Sequence, residues 1–148
     1  MPHTYTNLLY HIVFSTKDRE PYIRTEYRDR IYKYICGTAR GLSGKCIVIG
    51  GIEDHVHLLV TLKPTTNVAK FLQELKPNVT KWARQNIHPL FEWQNGYGAF
   101  TVSESQVAAV KRYIRDQKIH HKQMDFEVEF VRILEKSGVE YKREYLWK

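Results

Sequence analysis

Sulfur, acidic charge and spacer residues are what this sequence has least of. Its two cysteines, Cys36 and Cys46, form no CxxC pair, which argues against a disulfide framework or a zinc knuckle and leaves buried or idle thiols as the reading. No long apolar run is present, and the stretch from Leu58 to Val60 is far too short to span a bilayer. The opening MPHTYTNLLYHIVF lacks the basic start and small-residue cleavage site of a signal peptide, so a cytoplasmic protein with no membrane partner is expected. Repeats, low-complexity tracts and a Pro/Gly/Ser linker are also missing, so residues 1–148 are expected to form one domain. That length buries a core without staples. Hydrophobic residues at 43% and charged ones at 26% argue against disorder.

Acidic side chains number 16 against 23 Lys and Arg, a net charge of +7, which favours a polyanionic partner such as nucleic acid. Ten tyrosines and three tryptophans lie among those cations. They offer stacking surfaces for bases, although aromatics are also the commonest core anchors.

The apolar run Leu8 to Phe14 reads as a first strand ending at the polar turn STKDREP. From about Thr25 to Arg40, Tyr27, Ile31, Tyr34, Ile35 and Ala39 recur at helical steps, with Gly41 placed to close the helix. Two strands follow, Cys46 to Ile49 and Val56 to Leu62, separated by Gly50, Gly51 and a Glu-Asp turn and expected to pair. A second helix is capped by Thr66 or Asn67 and runs through Leu75. Pro77 then breaks or kinks it before it resumes through Trp82. GYGAFTVS supplies a fourth strand, and Ser103 and Gln106 stand at capping-box spacing for a third helix carrying QVAAVKRYIRDQKIHHK. A fourth helix spans about Phe126 to Lys136, ends at Gly138 and leaves a tail whose Tyr145 and Trp147 are expected to pack on the body. The order predicts an α+β, ferredoxin-like or RRM-like antiparallel sheet (β-α-β-β-α-β) with additional C-terminal helices, and with one sheet face open.

Two histidines interrupt the third strand, IEDHVHLLVTL. Residues i and i+2 of a strand share a face, so His55 and His57 project together, opposite Val56, Leu58 and Val60, toward the side expected to be open. Two neutral imidazoles so placed can ligate one divalent cation. Such nitrogens suit Mn, Zn, Co or Ni and tolerate Mg when oxygens complete the shell. The alternative is two half-exposed histidines hydrogen-bonded to neighbours.

In YIRDQ, Tyr113 and Gln117 lie four apart on one helix face, continued by His120 or His121, beside an apolar stripe of Val107, Val110 and Ile114. A phenol there can attack a phosphodiester if a metal polarises the phosphate, because an unassisted phenol with a pKa near 10 is a poor nucleophile. Gln117 can reach that metal through its carbonyl oxygen. Lys111, Arg112, Arg115, Lys118 and Lys122, with Lys17 and Arg19 after the first strand, are the candidate phosphate contacts. Without the histidine pair the same helix reads as an exposed basic surface with one tyrosine at its edge.

DHVHLLV on a strand and YIRDQ on a late helix resemble the single-tyrosine HUH transposases of small insertion sequences and their palindrome-associated relatives, with YHIVFSTKDREP, LQELK and YGAFTVS extending the similarity over nearly the whole chain. The resemblance implies that His55, His57 and Gln117 bind Mg or Mn. It makes Tyr113 the nucleophile that cleaves single-stranded DNA beside a hairpin, forming a 5′-phosphotyrosine and releasing a 3′-hydroxyl, after which a second 3′-hydroxyl rejoins the strand. It further implies a homodimer whose tyrosine helix completes the histidine pair either of its own chain or of the partner, with Gly96 and Gly98 as hinges. Asp116 departs from the asparagine common at that place and is expected to face solvent, while His120 and His121 are assigned supporting roles. The alternatives are a noncatalytic hairpin DNA- or RNA-binding module on the same fold, and a hydrolase whose histidines activate water.

Overall fold

The computed structural model describes residues 3–147. Four strands, β1 (Leu8–Ser15), β2 (Gly44–Ile52), β3 (His55–Leu62) and β4 (Gly98–Val102), form one antiparallel sheet in the order β2-β3-β1-β4. Helices α1 (Thr25–Gly41) and α2 (Val68–Asn86) are the two crossovers of a ferredoxin-like β-α-β-β-α-β plan. Four more helices follow: α3 (Val107–Arg115), α4 (Gln117–His120), α5 (Phe126–Lys136) and α6 (Arg143–Leu146). Among the described residues no helix is long and apolar enough to cross a membrane.

Strand alternation sorts the sheet into two faces. Ile12 and Phe14 of β1 with Val56, Leu58, Val60 and Leu62 of β3 meet Ile31, Ile35 and Ala39 of α1 and Phe71, Leu72, Leu75, Val79 and Ala83 of α2. Each fully buried Ile, Leu or Phe in that layer stabilises the fold by about 1.5–3 kcal/mol. The N-cap of α2 is Asn67, whose side chain accepts from Lys70 N at 3.2 Å.

The helix does not break at Pro77. The missing donor costs roughly 3 kcal/mol in a helix interior, which burial of Leu75 and Val79 on either side offsets, and Asn78 Nδ2 and Thr80 Oγ1 donate to the Glu74 and Lys76 carbonyls. Gly41 is likewise still helical; Leu42 is the cap, and the left-handed residue is Ser43 at φ 67°.

The second face is not open. Leu9 and Leu59 meet Ile114 there, flanked by Val107, Val110 and Tyr113, so α3 lies across the sheet. An apolar helix stripe and apolar strand residues could not both stay in water, and each is the other's cover. Gly50 permits the approach: a Cβ on it would stand 2.4 Å from the Ile114 carbonyl oxygen. Residues read as turn glycines thus belong to β2, and at Gly50 the missing side chain makes room for the tyrosine helix.

The long third helix is also divided. Asp116, at φ −93° and ψ 19°, separates α3 from α4. Ser103 forms no side-chain cap; its hydroxyl pairs with Ser105 and a short 3-10 turn, Glu104–Gln106, precedes α3. Gly96 has a positive φ of 87°, whereas Gly98 is a strand residue against which Phe130 and Phe100 pack, leaving no hinge there. Helix α5 has its expected bounds, with Gly138 left-handed after it. Trp147 packs on Phe126 and Phe130 as expected of the tail, but Tyr145 is exposed.

Candidate active site

Period-two alternation on β3 turns His55 and His57 toward the face covered by α3, and both are fully buried. Neighbouring β1 adds His11 from the same face, with Val13 opposite His57 in the register. Helix α3 brings Tyr113 and α4 brings Gln117, which is buried, as is Glu129 in the first turns of α5. Asp125 caps that helix, its carboxylate accepting from Val128 N at 3.0 Å.

These groups converge on the Glu129 carboxylate. Its Oε1 lies 3.2 Å from His55 Nε2, 3.1 Å from His57 Nε2 and 3.0 Å from His121 Nε2. Its Oε2 accepts from Gln117 Nε2 at 2.9 Å and from the Tyr113 hydroxyl in a still shorter bond. Burial alone would raise the Glu129 pKa, but His121, His55 and His57 together hold the carboxyl well below the usual carboxylate range. Burial and the bond to Glu129 push the Tyr113 phenol above its ordinary value.

His55 differs in charge from His57 and His11. His55 faces oxygens on both sides, Asp54 Oδ1 at 2.7 Å from Nδ1 and Gln117 Oε1 at 2.8 Å from Nε2. Burial disfavours its charge, but Asp54 and Glu129 prevail and its pKa is pushed up to about 9. His57 is pushed down to about 4, chiefly by burial, and His11 to about 3 by burial and by the neighbouring His57. His57 Nδ1 and His11 Nε2 lie 2.8 Å apart and share one hydrogen. His55 thus brings a positive charge to Glu129, while His57 meets it as a neutral donor.

The donor set fits a divalent cation. Asp54 at His55 and His11 at His57 each occupy the outward nitrogen, the arrangement that aims Nε2 of a ligating histidine inward. The ligand atoms of His55, His121 and Glu129 all lie within 4.8 Å of one another. Donors about 2.1 Å from a common ion and at right angles to one another stand about 3.0 Å apart, which matches the separations around Glu129 Oε1.

Of the residues singled out from sequence, His55, His57, Tyr113 and Gln117 lie together. His120 stacks on the Tyr113 ring with centroids 4.7 Å apart. Asp116 is half-buried at the break between α3 and α4. Arg112, Arg115, Lys118 and Lys122 are exposed and Lys111 is half-buried. Lys17 pairs with Glu92 at 3.6 Å, and Arg19 pairs with Glu127 at 2.8 Å under the Trp147 ring, so both carry structural contacts. Sequence reasoning missed His11, Asp54 and Glu129. Glu129 left a signal, a carboxylate three residues after Phe126 and beside Phe130 on the apolar side of its helix.

Known proteins share this architecture. The ISDra2 transposase TnpA of Deinococcus radiodurans is 27% identical over 117 residues, 74% of this chain and 84% of that one. A crystal structure described as a transposase of the same organism superposes with a TM-score of 0.65 at 23% identity, covering 79% of this chain and 95% of that one. A REP-associated tyrosine transposase bound to a REP hairpin does so at 0.62 and 15% identity, over 84% and 74%. These two likenesses bear on the fold. The family model for IS200-like transposases matches residues 4–117, from ahead of β1 through Gln117, and on that match the chain belongs to the IS200-like transposase family.

Proposed function

We propose that the chain cuts and rejoins single-stranded DNA at hairpin-flanked ends through a 5′-phosphotyrosine on Tyr113. The observation that carries this reading is the gathering of Tyr113, Gln117, His55 and His57 around one buried carboxylate. Family membership and the hairpin-bound relative support the choice of substrate.

His55, His57 and Gln117 would hold a Mg2+ or Mn2+ ion, which when bound supplies charge stabilisation to the phosphoryl and leaving 3′ oxygens. Tyr113 Oη forms the bond to phosphorus as its proton passes to solvent water, the bond to the 3′ oxygen breaks, and that oxygen takes a proton back from solvent water and leaves as a hydroxyl, so the proton count is unchanged. Glu129 Oε2 orients the phenol and is the atom nearest its proton. In rejoining, a second 3′-hydroxyl attacks the phosphotyrosine and the proton returns to Tyr113. No nucleotide triphosphate is consumed, because the tyrosyl ester keeps the phosphodiester bond energy. Exposed Arg112, Arg115, Lys118 and Lys122, with Lys111, border the site and would hold the DNA backbone. The working form in this proposal is a cytoplasmic homodimer; within one chain Tyr113 stands 5.7 Å, ring to ring, from His57.

The test mixes the protein with hairpin-bearing single-stranded oligonucleotides and Mg2+ or Mn2+ and seeks a covalent adduct on a denaturing gel. Tyr113→Phe should abolish the adduct and retain hairpin binding; an undiminished adduct refutes the assignment. The bond from Tyr113 to Glu129 favours one second reading, a noncatalytic hairpin-binding module. That reading predicts tight binding with no adduct under any metal.

A further inference from the structure

We propose that His121 and Glu129, beyond the family-matched residues, ligate the same divalent ion as His55, and that this set selects a first-row transition ion such as Mn2+, Co2+ or Zn2+ over Mg2+. The proposal rests on the reading above only in requiring that an ion binds at this site.

Glu129 is 1% exposed, and its ion-pair partners among the described residues are imidazoles alone, with no lysine or arginine. A carboxylate so deeply buried is costly unless a strong positive charge meets it. Its two oxygens are differently engaged. Oε2 is bonded by Tyr113 and Gln117, while Oε1 is met by imidazole nitrogens alone, those of His55, His57 and His121 at 3.2, 3.1 and 3.0 Å. Helix α5 is seated to hold it there: Phe126 stacks on His55 at 4.3 Å and 25°, and Glu127, two residues before Glu129, pairs with Arg19. Imidazole nitrogens outnumber the carboxylate in the set, and Mg2+, which prefers an oxygen shell with several waters, matches it less well than Mn2+, Co2+ or Zn2+. His121 is the weaker of the two added ligands, since its buried Nδ1 has no hydrogen-bond partner among the described residues.

Calorimetric titration of the metal-free chain with MnCl2 and separately MgCl2, without DNA, tests this. Mn2+ should bind at least tenfold tighter than Mg2+, and Glu129→Gln should weaken Mn2+ at least tenfold. Equal affinities for the two ions, or Mn2+ affinity unchanged or raised in Glu129→Gln, would overturn the proposal; a rise would make the carboxylate a competitor of the ion. An anomalous-scattering map of Mn2+-soaked wild-type crystals needs no variant. A peak bonded to both His121 and Glu129 is expected, and one held by His55, His57 and Gln117 alone refutes it. Loss of the Tyr113 adduct with Glu129-dependent Mn2+ binding would sink only the phosphotyrosine reading, and an adduct with Glu129-independent binding only this one.

Discussion

Replacing Gly50 with alanine tests how the tyrosine helix is seated. The added methyl would stand 2.4 Å from the Ile114 carbonyl oxygen and 3.0 Å from its Cγ2, where ordinary packing needs about 3.5 Å. Helix α3 must therefore retreat by roughly 1 Å, and Ile114 is the immediate neighbour of Tyr113. Overpacking of this kind costs about 1–3 kcal/mol, which lowers the melting temperature by roughly 2–10 °C for a chain of this size. A displacement of about 1 Å at a reacting group costs on the order of 100-fold in rate. Single-turnover adduct formation at saturating DNA isolates that step from binding, and circular dichroism gives the melting curve. Gly37→Ala is the control: nothing lies within 4 Å of its Cβ position on α1, so a gain of about 0.5–1 kcal/mol is expected. A Gly50→Ala protein that melts and reacts as the wild type does would refute the close seating of α3.

In the metal-free protein His55 must shed a proton before Nε2 can accept an ion, and its pKa is about 9; Mn2+ affinity should therefore rise with pH toward 9, with close to one proton released per ion, measurable by calorimetry in two buffers. The same raised pKa means that stability from the charged His55 is full below about 6.5 and is lost as pH rises through 9, so the metal-free melting temperature should fall over that window. On the acid side His57, at about 4, stays neutral in the fold while the unfolded chain binds protons below about 6.5. Stability should drop as pH falls from 6.5 to 4, by on the order of 3 kcal/mol for His57 alone; a flat melting profile there would refute its neutral burial. Asp125→Ala removes the cap of α5, an expected loss of about 1 kcal/mol, and should speed amide exchange at residues 126–130 roughly fivefold.

The sheet was legible because alternation on β3 separates His55 and His57 from Val56, Leu58 and Val60 without reference to any other segment. The tyrosine and glutamine were legible as a pair because four-residue spacing survives the break at Asp116. What could not be read was anything depending on how distant segments meet. His11 joins the site only through the β1–β3 register. The face expected to be open is closed because the stripe of Val107, Val110 and Ile114 and the strand residues Leu9 and Leu59 are apolar on separate elements, and one pattern alone does not say which surface it covers. Pro77 was overestimated as a breaker because its local penalty is visible in sequence and the packing that absorbs it is not.

The break at Asp116 places Tyr113 and Gln117 on separate helical pieces. Tyr113 rides on α3, pinned where Gly50 meets Ile114, while Gln117 begins α4, and one residue's torsions join them. A change of those torsions would carry the Gln117 amide, which meets His55 and Glu129, while the Ile114 contact with Gly50 holds α3. On the proposed reading, that one residue would let the Gln117 amide leave and rejoin the histidines without moving the tyrosine.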